Sequence, residues 1–167
     1  MTLAEAAAHA DELAGSGSEQ ELAGLRSEWD EELEAAARSG DYRERAVAYR
    51  AVGLFRWRAK EELLRRGLDD ESPAARGSAL LSVELLSRDH PSTVNSLRAL
   101  LHKMVADAEE NSAVRRLAAL ALKNGSPQRE TVVLLEGLAA DDAADTELRR
   151  AAGGVAQALK RKAAARR

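Results

Sequence analysis

The chain has 167 residues, long enough for a sizeable core. It carries 35 Ala and 24 Leu against 9 Val, 4 Thr, 5 aromatic residues and no Ile. Strong helix formers dominate and strong strand formers are scarce, which excludes a β-sandwich, a barrel or a large sheet. Hydrophobic residues make up 45% of the chain, too many for a disordered one, and the absence of Cys excludes a disulfide framework, thiolate metal sites and a Cys nucleophile.

The net charge of -3 is spread unevenly. Residues 1–40 carry -8, 41–68 +4, 69–112 -4, 113–147 -2 and 148–167 +7. Ends of opposite sign suit an anionic partner for the basic parts or head-to-tail self-association, beside the plainer alternative of solvated helix surfaces. No apolar run approaches the roughly 20 residues that span a bilayer. The opening MTLAEAAAHADELAG lacks a basic leading region and is interrupted by acids, so it does not read as a signal peptide. A Cys-free, Ala- and Arg-rich composition fits a cytoplasmic bacterial protein.

The first helix begins at Thr2-Leu3-Ala4-Glu5, a capping box in which hydroxyl and carboxylate each satisfy a free backbone N–H, and runs to about Ala14. Gly15-Ser16-Gly17-Ser18 breaks it. Ser18-Glu19-Gln20-Glu21 opens the second helix with the same box pattern. Leu22, Leu25, Trp29, Leu33 and Ala36 recur at intervals of three and four, which predicts one buried stripe. Ser39-Gly40-Asp41 ends that helix and caps the next.

From Asp41 onward four helices share a theme: an Arg followed by a small, apolar run. Aligned on Arg43, Arg76, Arg115 and Arg149, the theme recurs every 33 to 39 residues, the period of a helical repeat. Second helices lie between, at about 58–67, 92–106 and 127–139. Ser72-Pro73 and Ser126-Pro127 each place a capping residue before a Pro at the first helical position.

Val114-Arg115-Arg116-Leu117-Ala118-Ala119-Leu120-Ala121-Leu122, preceded by an acidic turn, resembles the HEAT repeat and its HEAT-like relatives. The resemblance covers about residues 41–160. It implies an all-α, right-handed α-solenoid of helix pairs with about eight or nine helices. The chain as a whole reads as a single domain of 1–167, in which 1–40, outside the resemblance, is an N-terminal helical hairpin and 161–167 a basic tail. The resemblance also implies a structural ladder in which an Asp six residues before the Arg faces the Arg of a neighbouring repeat. Asp70 stands six before Arg76 and Glu109 six before Arg115, whereas the acid before Arg149 is displaced to Asp142 and the first unit lacks it.

Little in the chain points to catalysis. His9, His90 and His102 lack a second His at helical spacing, so neither a metal nor a cofactor site is expected. No phosphate-binding glycine loop or nucleophile elbow occurs, and Gly153-Gly154 sits inside a helix. The expected protein is therefore not an enzyme. It is a protein-protein interaction module, an adaptor, scaffold or accessory subunit, binding its partner on the concave face of the solenoid. Candidate contacts are Arg58, Asn95, Arg98, His102 and Arg129, with Trp57 at the edge. The alternative partner is nucleic acid: Arg56-Trp57-Arg58-Ala59-Lys60 with Arg65-Arg66 places cations beside an aromatic, and one HEAT-like family, the alkylpurine DNA glycosylases, binds DNA in its concave face. All five aromatic residues fall in 29–57, which predicts a ring-filled core where the hairpin meets the first repeat, with Trp57 the most exposed.

Overall fold

Every regular element is helical. In the computed structural model, which describes residues 1–167, α1 spans Leu3–Ser16, α2 Glu19–Ala37, α3 Tyr42–Leu54, α4 Glu61–Leu68, α5 Pro73–Ser87, α6 Ser92–Ala106, α7 Ser112–Leu122, α8 Arg129–Ala139 and α9 Thr146–Ala165; a 3-10 turn, Arg58–Lys60, leads into α4. The chain divides into two compact units, Met1–Leu86 and Ser87–Arg167.

Local chemistry sets most helix ends in the first unit. Thr2 and Glu5 form the capping box, with Glu5 N–H donating to Thr2 Oγ1 at 3.2 Å and Thr2 N–H to Glu5 Oε2 at 2.7 Å. α1 runs past Ala14 to Ser16, because the residue that can turn left-handed is Gly17 (φ 77°), whose N–H reaches back to Leu13 and Ala14. The second capping box does not form: the Ser18 hydroxyl lies 3.1 Å from Ser16 Oγ and caps nothing in α2. Asp41 caps α3 through Arg43 N–H at 2.9 Å.

The core of this unit mixes alanines with leucines and three rings, Trp29, Tyr49 and Phe55. α1, α2 and α3 pack mutually and bury Ala6, Ala7, Ala10, Leu22, Leu33, Ala48 and Val52. The α2 stripe falls on Leu22, Trp29, Leu33 and Ala37, while Leu25 and Ala36 stay half-exposed. α5 approaches α3 and α4 at backbone distance. A Cβ on Gly53 would stand 2.7 Å from Ser82 Cα, and one on Gly67 2.8 Å from Ala79 Cβ. The Gly53 N–H donates to Ser82 Oγ at 2.9 Å, and that hydroxyl donates on to the Tyr49 carbonyl.

The second unit holds two helix layers. α6 packs on α7 and α8, and α9 packs on α7 and α8. The Arg-bearing α7 and α9 are thus neighbours, as are α6 and α8. Asn111 caps α7 through Ala113 and Val114 N–H, and Asp145 caps α9 through Leu148 N–H. α8 starts at Arg129, two residues after Pro127, because Ser126 is held by Asn95 instead of capping the helix. Residues 161–165 continue α9.

Candidate functional site

The ion pair that organises the first unit joins Asp70 to Arg45. Nε donates to Oδ2 at 2.8 Å and Nη2 to Oδ1 at 3.0 Å, with both side chains nearly buried. The Tyr49 hydroxyl, at 3.4 Å, and Ser72 N–H, at 2.9 Å, also donate to this carboxylate. The Arg45 hydrogen bonds, chiefly, hold Asp70 below the usual carboxylate range against the opposing effect of burial. The acid six residues before Arg76 does look to a neighbouring helix, but its partner is Arg45, not the motif-aligned Arg43. Arg43 lies at the surface over the Tyr42 ring, 5.6 Å from its centroid. Arg76 donates to the Asp70 backbone carbonyl at 2.8 Å.

The other ladder residues act on backbone. Arg115, 8% exposed, donates Nε and Nη2 to the Val105 carbonyl at 3.0 and 2.8 Å. Arg149 repeats the geometry ten residues back, with Nε to the Ala139 carbonyl at 3.2 Å, and adds Asp142 at 3.2 Å. Glu109 is exposed in the turn, its N–H held by Asp107. Two residues that the repeat pattern does not mark do the same work. Arg26 donates to the carbonyls of Phe55 and Arg56 at 2.7 and 3.0 Å, just past the end of α3. Lys162 donates to those of Lys123 and Gly125 at 2.7 and 3.0 Å, just past α7. Four helices therefore end against a cation from another helix, which satisfies orphan carbonyls and opposes the negative end of the helix dipole.

The proposed contacts divide between the units. Trp57 is half-buried, its ring edge-on to Phe55 at 5.9 Å and 5.0 Å from the Lys60 ammonium. Arg58 beside it is exposed. The most exposed ring is Tyr42, at 44%, rather than Trp57; Trp29, Tyr49 and Phe55 are buried. In the second unit Asn95, Arg98 and His102 share one side of α6 and clamp the segment that leads into α8. Asn95 bonds Ser126 through Nδ2 and Oδ1. Arg98 Nη2 donates to Asn95 Oδ1 at 2.7 Å and to the Ser126 carbonyl at 2.9 Å. His102 Nε2 lies 2.8 Å from the buried Thr131 hydroxyl. Burial pushes the His102 pKa down, Arg98 adds to this, and Glu130 opposes it. Arg129 is exposed at the first turn of α8.

The basic segment 56–66 is largely matched by acids from α1, α2 and α4. Arg56 pairs with Asp11 at 2.8 Å, and Lys60 with Asp30 and Glu34, both at 2.6 Å. Burial lowers the Lys60 pKa, but the two carboxylates more than reverse this and leave it above the ordinary lysine value. Arg65 lies 3.3 Å from Glu62.

The open feature of the first unit is apolar. A cleft of about 610 Å³ is lined by Leu3, Ala4, Ala36 and Val47, with Glu32, Arg43 and Glu44 among its polar residues. A second cleft, of about 250 Å³, shares Ala4 and Val47 and continues to Ala7, Ala51 and Leu54. Both lie along α1 and α3, whose facing alanines leave the surface hollow. Val47 at their junction is 37% exposed.

No three His, Asp or Glu side chains gather in a group that could hold a metal ion, and no helix is long and apolar enough to cross a membrane. No family model matches this chain, and neither a curated protein nor a solved structure does.

Proposed function

We propose that the chain is a non-enzymatic, HEAT-like helical module that binds a protein partner, in the manner of an adaptor or accessory subunit. The observation that carries this proposal is the pair of apolar clefts meeting at Ala4 and Val47. Contiguous apolar surface left open to water is a mark of an interaction site. Trp57 and Arg58 of the first unit, and Arg129 of the second, add surface contacts in this proposal. Asn95, Arg98 and His102 contribute through the shape they impose on the second unit. The HEAT-like, solenoid part of the proposal is supported by the layering of α7 with α9 and of α6 with α8, and by the recurrence of the Arg115 geometry at Arg149.

The test compares wild-type and Val47→Glu chains as bait. A partner bound through the clefts is captured by the wild type and lost from the variant while the helical melt is unchanged. Equal capture by both, or by neither, overturns the assignment of the surface. The nucleic-acid alternative predicts a duplex-DNA gel shift that weakens steeply with salt, because each phosphate contact releases a counterion; the pairing of Arg56 and Lys60 with carboxylates argues against it.

A further inference from the structure

The occupant of the α1–α3 cleft can be argued from charge. The cleft lining combines apolar residues with two carboxylates. Glu32 and Glu44 belong to its lining, and Glu28 and Glu31 stand exposed nearby in sequence on α2. These four carboxylates have no ion-pair partner within the chain, unlike Asp30 and Glu34, which hold Lys60. Arg43 is the one cation in the lining, and it sits on its own neighbour Tyr42. The same chain carries the complementary element. The last turns of α9 read Lys160-Arg161-Lys162-Ala163-Ala164-Ala165-Arg166-Arg167. Lys160 is paired with Glu136, and Lys162 with backbone carbonyls. Arg161, Arg166 and Arg167 are exposed and have no carboxylate partner. Ala164 and Ala165 are exposed between them, one helical turn from Arg161. A narrow, alanine-faced basic helix matches a hollow lined by alanines and flanked by carboxylates.

We propose that the occupant is a second copy of this chain, whose basic end of α9 lies in the α1–α3 cleft of the first. This rests on the cleft being the interaction surface of the module. The two contacting surfaces differ, so the contact is heterologous and each copy keeps one cleft and one basic end available. Such contacts build assemblies, closed or open, that are populated with rising concentration. Its ion pairs are exposed, so the association is weak and responsive to salt.

The test is sedimentation velocity on the full chain across concentration and salt. The expected result is growth beyond the monomer at about 50 mM salt, with the midpoint concentration rising roughly tenfold or more by about 500 mM. Two charge-reversal variants give the discriminating measurement: Glu28→Lys/Glu31→Lys/Glu32→Lys, and Arg161→Glu/Arg166→Glu/Arg167→Glu. All six positions are exposed, and both variants are expected to melt as the wild type does. Each alone stays monomeric, because like charges then face each other. An equimolar mixture restores association, because each variant's end then matches the other's cleft. A wild-type chain that stays monomeric at low salt, variants that still self-associate, or a mixture that fails to recover overturns the proposal. A monomeric chain that still loses a different captured protein on Val47→Glu overturns the self-association alone and leaves the cleft as an interaction surface.

Discussion

Arg45 and Asp70 meet at two points, at 2.8 and 3.0 Å, and tie α3 to the turn ahead of α5. The pair lies 25 residues apart in sequence and is nearly out of water, with side chains 11% and 6% exposed. Removing one partner strands the other, so Asp70→Asn is expected to cost about 3 kcal/mol of stability. Arg43→Ala changes an exposed residue and leaves the urea midpoint close to that of the wild type. Urea unfolding of the two variants checks the assignment, and equal effects would contradict it. The pH dependence has a definite sign. Asp70 has a folded-state pKa below its unfolded value, chiefly because Arg45 donates to it. Its contribution is therefore complete above the usual carboxylate range, about pH 4, and is lost as pH falls through the lower folded value. Asp70→Asn flattens that acid limb.

How much of this was legible in the sequence depends on range. Thr2 and Asp41 read correctly as caps because a cap acts within one turn of its own helix. The α1 terminus was misplaced by two residues because both Gly15 and Gly17 are breakers on paper, and only the folded turn shows which adopts positive φ. The repeat pattern marks Arg43, yet Arg45 points about 200° away from it around the helix, and a partner 25 residues away selects Arg45. The bonds that Asn95, Arg98 and His102, read as candidate partner contacts, make within the chain were hidden for the same reason. Their partners, Ser126 and Thr131, arrive from a segment roughly one helix pair further along. The apolar clefts left no periodic signal, since alanine lines a cavity and a close helix contact alike.

Two glycines inside helices predict opposite outcomes. Gly53→Ala drives a methyl into Ser82, with contacts of 2.6 to 2.9 Å to its side chain and backbone. It should destabilise the first unit by about 1–3 kcal/mol, the range for overpacking. A Cβ on Gly137 meets nothing within 4 Å. Gly137→Ala should therefore stabilise by about 0.5–1 kcal/mol through helix propensity alone. Thermal melts of both distinguish close backbone approach from simple tolerance of glycine.

His102 gives the second unit its own acid sensitivity. Its folded-state pKa lies below the ordinary histidine value, first because of burial, so the neutral ring is the form that folds. The unfolded chain then binds the proton more readily. Stability is complete above about pH 6.5 and falls as pH drops through the folded value. Denaturant midpoints of the wild type should decline between about pH 7 and pH 5. His102→Gln, which keeps a polar group toward Thr131 Oγ1 and cannot titrate, should reduce that slope. An unchanged slope would place the sensitivity elsewhere.

Arg115 and Arg149 share a geometry and differ in burial, which ranks their importance. Each guanidinium reaches the carbonyl ten residues earlier, at the end of the preceding helix. Arg115 does so with two donors at 8% exposure, whereas the Arg149 side chain is 34% exposed and shares its charge with Asp142. Truncating Arg115 leaves the end of α6 without its cation and removes buried methylene contacts, so Arg115→Ala should cost about 2–3 kcal/mol. At Arg149 water can replace the lost donor, and Arg149→Ala should cost about 1 kcal/mol or less. Arg115→Lys separates charge from fork geometry. A lysine keeps the attraction to the helix end but offers no rigid pair of donors, so its melting temperature should fall between those of the wild type and Arg115→Ala. A lysine variant as stable as the wild type would mean that charge alone holds the end of α6. One as unstable as the alanine variant would mean that the paired hydrogen bonds do.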